Sequence, residues 1–255
     1  MYLIDQDNPS EQFVLAWQAA GRHLQPKGGD SFNWLRANLN MPFAEHLSFR
    51  IGNQIFFIFI IAAEYKFEGG YRNLFISAAD DANAVPCLMP MQERLSGFEP
   101  ELTGWGLIHA DTGQPVDPSL LVTDELIEMS NWELRDFANQ VVKASLESEG
   151  HRVYSTQSSL HIDPSIWFDE GGDACWVVVR AVRQPNLNAE LPDNIAEIGA
   201  SSSQEGIRGY FASVGVASTD DPFDPEAASN GNFLPLFRGH SMTVRYNGLK
   251  KVWGT

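Results

Sequence analysis

Residues 54–64, QIFFIFIIAAE, hold nine consecutive apolar side chains, Ile55 to Ala63, closed off by Gln54 and Glu64. A helix that spans a bilayer needs roughly 20 apolar residues, so the run is too short to cross a membrane. Ile and Phe favour strands. With no polar residue alternating between them, the strand must be covered on both faces, as in the middle of a sheet flanked by helices. Just before it, Leu47 to Ile51 reads as a second strand, and Gly52-Asn53 makes the tight turn between the two. The pattern returns later. HLSFRIGNQIFFIFIIA from His46 and HIDPSIWFDEGGDACWVVVRA from His161 each hold a His, a short strand with Ile, a turn and a long apolar strand. Aligned on the two histidines, with gaps at the turn, they suggest a duplicated helix–strands–helix–strand unit.

Working outward, Asn8 as cap, Pro9 at the first helical position and Gly21 after the last turn predict a helix carrying Phe13, Val14, Trp17 and Ala20. A second helix is predicted from Ser31 to Leu39, with Phe32, Leu35 and Leu39 on one side, and a third from Arg72 to Ala84. A short strand at Val85 to Met89 is interrupted by Pro86 and ended by Pro90. Ser130 and Glu133 form a capping box for a long helix whose apolar face is Leu134, Phe137, Ala138, Val141 and Val142. Strands follow at 152–158, 165–168 and 175–182, then a helix over 192–200, a strand over 207–217 and another over 242–246. Helix and strand alternate, which predicts α/β layers. The fold class is mixed α/β, in two similar layered halves, each a helix-flanked mixed β-sheet, at residues 1–118 and 119–255.

The chain has 255 residues and a formal net charge of -16, from 17 Lys plus Arg against 33 Asp plus Glu. That acidity repels phosphate backbones and anionic lipid, disfavouring nucleic acid and membrane as partners; it suits a basic protein partner. The opening MYLIDQDNPSEQ lacks the charged-then-apolar pattern of a secretion signal. Cys87 and Cys175, each beside apolar residues, read as buried thiols in a reducing cytoplasm. No Cys/His spacing fits zinc.

In the second half a long helix, the strand 152–158, an Asp leading the strand IDPSIWF, a strand ending in a basic residue (WVVVR), a helix and a further strand follow in order. This order resembles the core of the PD-(D/E)XK, or restriction-endonuclease-like, superfamily. The resemblance covers about 90 of the 255 residues and rests on element order more than on identities. It implies carboxylates holding Mg²⁺ or Mn²⁺ to activate water, with a Lys polarising the nucleophile. Asp163 stands where the first carboxylate belongs and Arg180 where the Lys belongs, but the acidic position between them is Val178. Val offers no oxygen to a hard cation, and Arg keeps its proton. Substitute ligands could come from Gln157, Asp169 or Glu170, whereas Glu133, Asp136 and Gln140 are predicted to project opposite the helix's apolar stripe.

The leading expectation is therefore a non-catalytic cytoplasmic binding or interaction protein with a degenerate nuclease-like core and no cofactor. A divergent Mg- or Mn-dependent phosphodiesterase or nuclease using Asp163 is one alternative. A small-ligand binder at a polar pocket of Gln157, Asp163 and Arg180 is another. Against each stands a plainer structural reading: Asp163 as a turn cap, Arg180 as an ion-pair partner, Gln157 as an exposed residue on a sheet face. The Asp111-Thr112-Gly113 triplet of aspartic proteases lacks a second copy and suits a hairpin turn. Trp105, Trp132, Trp167 and Trp176 suit either core or a binding surface.

Overall fold

The computed structural model describes residues 9–39, 44–202, 208–221, 223, 231 and 233–254. The chain divides into two compact units, Met1–Leu126 and Ile127–Thr255, each a mixed α/β layer built on its own sheet.

In the first unit, helix α1 (Glu11–Leu24) is capped by Ser10, whose Oγ accepts from Phe13 N at 3.1 Å. Asn8, the expected cap, lies outside the described residues. The helix runs through Gly21 because burying Leu24 outweighs the roughly 1 kcal/mol that a helical glycine costs. Strand β1 (Phe32–Arg36) replaces the helix expected over 31–39. The spacing of Phe32 and Leu35 reads as helical, but antiparallel pairing with β2 (Leu47–Ile51) and stacking of Phe32 on Phe49, 4.6 Å between ring centroids, decide the matter; weak local propensity yields to tertiary contact. Strand β3 (Gln54–Ile61) is buried from Ile55 to Ile60, as a strand covered on both faces must be. Helix α2 (Gly69–Ala82) carries the chain over to β4 (Val85–Arg94), parallel to β3. Pro86 and Pro90 do not interrupt β4. Each still offers its carbonyl, to Ala110 N and Glu101 N, both at 2.9 Å. Strands β5 (Gly97–Pro100), β6 (Leu107–His109) and β7 (Pro115–Val116) complete the sheet.

The second unit opens with α3 (Asn131–Ser148), whose Ser130–Glu133 capping box is present in full. Strands β8 (Arg152–Thr156), β9 (Ile166–Glu170) and β10 (Asp173–Arg183) follow, then α4 (Ile195–Ser202), β11 (Arg208–Ser218), β12 (Met242–Tyr246) and β13 (Lys250–Trp253). The order is β12-β11-β10-β9-β8, with β13 beside β11. Alternate residues of β10 serve opposite faces. Val177 and Val179 pack with Leu134, Ala138 and Val142 of α3, whereas Trp176 and Val178 pack with Ile198 of α4 and Phe211. Trp105, Trp132 and Trp176 are buried, so these three are core. Among the described residues no helix is long and apolar enough to cross a membrane.

The two units repeat one another in detail. In each, the first four strands pair in chain order (β1-β2-β3-β4 and β8-β9-β10-β11), and a parallel pair (β3/β4, β10/β11) flanks the crossover helix. The β2–turn–β3 hairpin maps onto β9–turn–β10 without a gap, each position 119 residues on: Phe49 to Phe168, Gly52 to Gly171, Gln54 to Asp173. Both first strands carry a register shift at the same place, between Trp34 and Arg36 opposite Phe49 and Ser48, and between Val153 and Ser155 opposite Phe168 and Trp167. The counterpart of His46 is thus Ser165, not His161, and the register expected from the two histidines is corrected. The hydrogen bonds agree. His46 N donates to Ile58 O at 3.0 Å and its Nδ1 accepts from Ile60 N; Ser165 N donates to Val177 O at 2.8 Å and its Oγ accepts from Val179 N.

Candidate functional site

Asp163 lies in the connection between β8 and β9, where two arginines hold it. Arg180, from β10, reaches both carboxylate oxygens, Nη1 to Oδ1 at 2.9 Å and Nη2 to Oδ2 at 2.6 Å. Arg135, from α3, donates from Nη2 to Oδ1 at 2.6 Å and also meets Ser165 Oγ and Ile162 O. Arg135 is buried, and burial lowers its pKa while Asp163 opposes the shift. Charge-assisted bonds of this length are the strong kind, and burial leaves them little screened.

Around this core a second layer fixes the loop. Gln157 is buried rather than exposed on a sheet face. Its Nε2 donates to Ile162 O at 2.5 Å and to Pro164 O at 3.1 Å, and its Oε1 accepts from Ser159 N, so the side chain staples the turn that presents Asp163. Asn139, one helical turn past Arg135, donates to Gln157 O, and Ser158 Oγ donates to Asp136 at 2.6 Å. Gln157, Asp163 and Arg180 are thus brought to one corner of the unit. Arg135 and Ser165 complete it, and the sequence reading did not include them.

The other carboxylates considered for a metal are also engaged. Asp169 accepts from Tyr154 OH at 2.8 Å, which, with the bond from Gly172 N, lowers its pKa. Glu170 holds Arg208 at 2.6 Å and Tyr210 OH at 2.7 Å. Glu133 is buried, not projecting opposite the apolar stripe as expected: it closes the cap of α3 and pairs with Arg238. Among the described residues no three of His, Cys, Asp and Glu gather closely enough to hold a metal ion. Cys175 is a buried free thiol whose pKa burial pushes up to about 11, leaving it protonated and inert at neutral pH. In the first unit, Asp111 sits in the β6–β7 hairpin and pairs with Arg72 at 3.0 Å.

Beside the Asp163 cluster lies a pocket of about 360 Å³, lined by Arg135, Arg180, Arg183, Gln184, Asn131 and Leu160 among others. Arg183 donates to Asn131 Oδ1 at 2.7 Å and to Met129 O at 2.5 Å, and its Nε stands 3.9 Å from Glu128 at the exposed edge.

The chain is similar over residues 132–252, which run from the first turn of α3 into β13, to a family described as a domain of unknown function, DUF8840. No curated protein and no solved structure matches it.

Proposed function

We propose that this chain is a non-catalytic binding protein built from two units of duplicated origin, and that its second unit holds the binding site where Arg135, Asp163 and Arg180 meet. The shared register shift, the ungapped hairpin and the common strand order support the duplication. One comparison within the chain carries the functional reading. On α1, Phe13, Ala16, Ala20 and Leu24 repeat the spacing of Arg135, Ala138, Val142 and Leu146 on α3. Phe13 touches the His46 ring, 4.9 Å between centroids, as Arg135 touches Ser165. By the same registers, Ala44 and Ile61 stand where the second unit has Asp163 and Arg180. The same topology therefore forms without charge at these three positions, although a neighbouring pair, Arg36 with Glu45 at 3.5 Å, is charged. Buried ion pairs are often no more stabilising than well-packed apolar residues, so folding does not require the charges in the second unit.

Asp163 accepts three guanidinium hydrogen bonds, two on Oδ1 and one on Oδ2, and two neighbouring cations repel a third. That favours a binding role over metal-dependent phosphodiester hydrolysis. Calorimetric titration of Mn²⁺ into the wild-type protein and into Asp163→Ala is the test. No saturable binding is expected in either; a micromolar site lost in Asp163→Ala would overturn this reading in favour of the metal enzyme.

A further inference from the structure

We infer that the pocket beside Asp163 takes a small oxyanion, a phosphate or a carboxylate group carried on a compact ligand. This rests on the reading of the second unit as a binding module and names the ligand's chemistry.

The donor inventory carries the inference. Six buried side-chain polar atoms among the described residues have no hydrogen-bond partner, and three of them, Arg135 Nε, Arg183 Nε and Gln184 Nε2, belong to residues that line this pocket. All three are donors. The orphan acceptor nearest in sequence to them, Asn139 Oδ1, belongs to a residue that does not line it. Arg135 and Gln184 are 5% and 6% exposed, so water cannot freely satisfy them, and buried polar groups without partners are rare enough to need a reason. The second Gln184 atom, Oε1, is already used by Phe223 N at 3.0 Å, which fixes the amide with its NH₂ uncommitted.

Charge points the same way. The lining contributes three guanidinium groups. Asp163 offsets one of them; Glu128, with its side chain 58% exposed, faces Arg183 only at 3.9 Å. The pocket is thus locally cationic in a chain of net charge -16. A guanidinium carries five N–H donors and accepts nothing. Arg180 commits three to Asp163 and Val179 O, and Arg183 commits two to Asn131 and Met129. Their side chains are about a quarter exposed, 25% and 27%, so both arms are reached by solvent while Arg183 Nε itself stays buried. A partner that only accepts fits; a cation or a donor-rich ligand does not. The volume lies at the low end of the range that small ligands occupy. Forked guanidinium groups match the planar carboxylate and the phosphate alike.

The test is calorimetric titration of the full chain with inorganic phosphate and, separately, with succinate, at constant ionic strength set by chloride, on wild type, Arg180→Gln and Arg183→Gln. Circular dichroism checks that each variant is folded. Saturable binding of one probe in wild type, weakened at least 10-fold in each folded variant, is the expected result, and which probe binds tells phosphate from carboxylate. If Arg180→Gln does not fold, Arg183→Gln decides alone. Binding of equal strength in wild type and variants would be an unspecific ion effect, and no binding of either probe up to 20 mM is the other adverse result; both overturn the inference. Neither touches the metal-free reading, which stands or falls on the Mn²⁺ titration.

Discussion

His46 is the residue on which the first unit's corner turns. It sits among Phe13, Phe59 and Tyr65, with ring centroids 4.3 to 4.9 Å away, and its Nδ1 accepts from Ile60 N at 2.9 Å. Burial holds its pKa down to about 3, against an ordinary 6.5. Between those values the unfolded chain binds a proton that the folded chain does not, so this stabilisation is complete above pH 6.5 and drains away as pH falls toward 3. One proton gives a slope of about 1.4 kcal/mol per pH unit, or about 2 kcal/mol between pH 6.5 and 5. His46→Asn keeps an acceptor near Ile60 N and does not titrate. It should be less stable than wild type at pH 7 through lost aromatic packing, and its loss between pH 6.5 and 5 should be about 2 kcal/mol smaller, measured by urea unfolding at both pH values. Equal losses in the two proteins would remove His46 from the account. Residue-level legibility followed polarity in loops and strands. Asp163 and Arg180 stood out because one leads a strand and the other ends the next in a nuclease-like order of elements, and the plain reading of Arg180 as an ion-pair partner matches its bonds to Asp163. Arg135 did not stand out, because a charged residue on a helix reads as solvated unless its spacing to Ala138, Val142 and Leu146 is followed down the buried face.

At the scale of elements, the helix α3 start is tied twice. Glu133 closes the capping box through Ser130 N at 2.8 Å, and the same carboxylate takes Arg238 Nε and Nη2 at 2.9 to 3.0 Å. Both side chains are buried, 8% and 1% exposed, and Arg238 N also donates to Ile127 O. The pair therefore clamps the segment before β12 onto the helix start. Removing one partner of a buried pair leaves the other charge uncompensated, at a cost of about 3–5 kcal/mol. Arg238→Met should lose that much, whereas Glu133→Gln with Arg238→Met, which keeps an amide oxygen for the cap, should lose clearly less than the sum of the single changes. A double-mutant cycle in urea reads the difference; additive losses would mean that the pair is not coupled. The capping box was legible because its two members are three residues apart. Arg238 was not, being 105 residues from Glu133. Strand β1 was misread for the same kind of reason: its aromatic residues are arranged for Phe49 across the sheet, and no local window contains that partner. Strand β13 passed unseen because KKVW at a sheet edge has too little apolar pattern to register.

For the whole molecule, the chain offers its own control. A covered apolar strand, seen first at residues 54–64, set the layered architecture, and a second one hinted at repetition. The hint was pinned to the wrong histidine because single-residue identity is a poor guide where strand register is free to slide; hydrogen bonds and the shared register shift fix the true correspondence. That correspondence tells which residues one unit uses for folding where the other is charged. Arg135→Phe, Asp163→Ala and Arg180→Ile together write the first unit's Phe13, Ala44 and Ile61 into the second. Replacing buried ionic groups as a set by apolar residues is often neutral or stabilising, by about 1–4 kcal/mol, whereas Asp163→Ala alone strands two arginines and should cost about 3–5 kcal/mol. We expect the triple variant to be folded, at least as stable as wild type in thermal and urea unfolding, and unable to bind either oxyanion probe. If it unfolds while Asp163→Ala is tolerated, the charged corner is structural scaffolding, and the case for a binding site there fails with it.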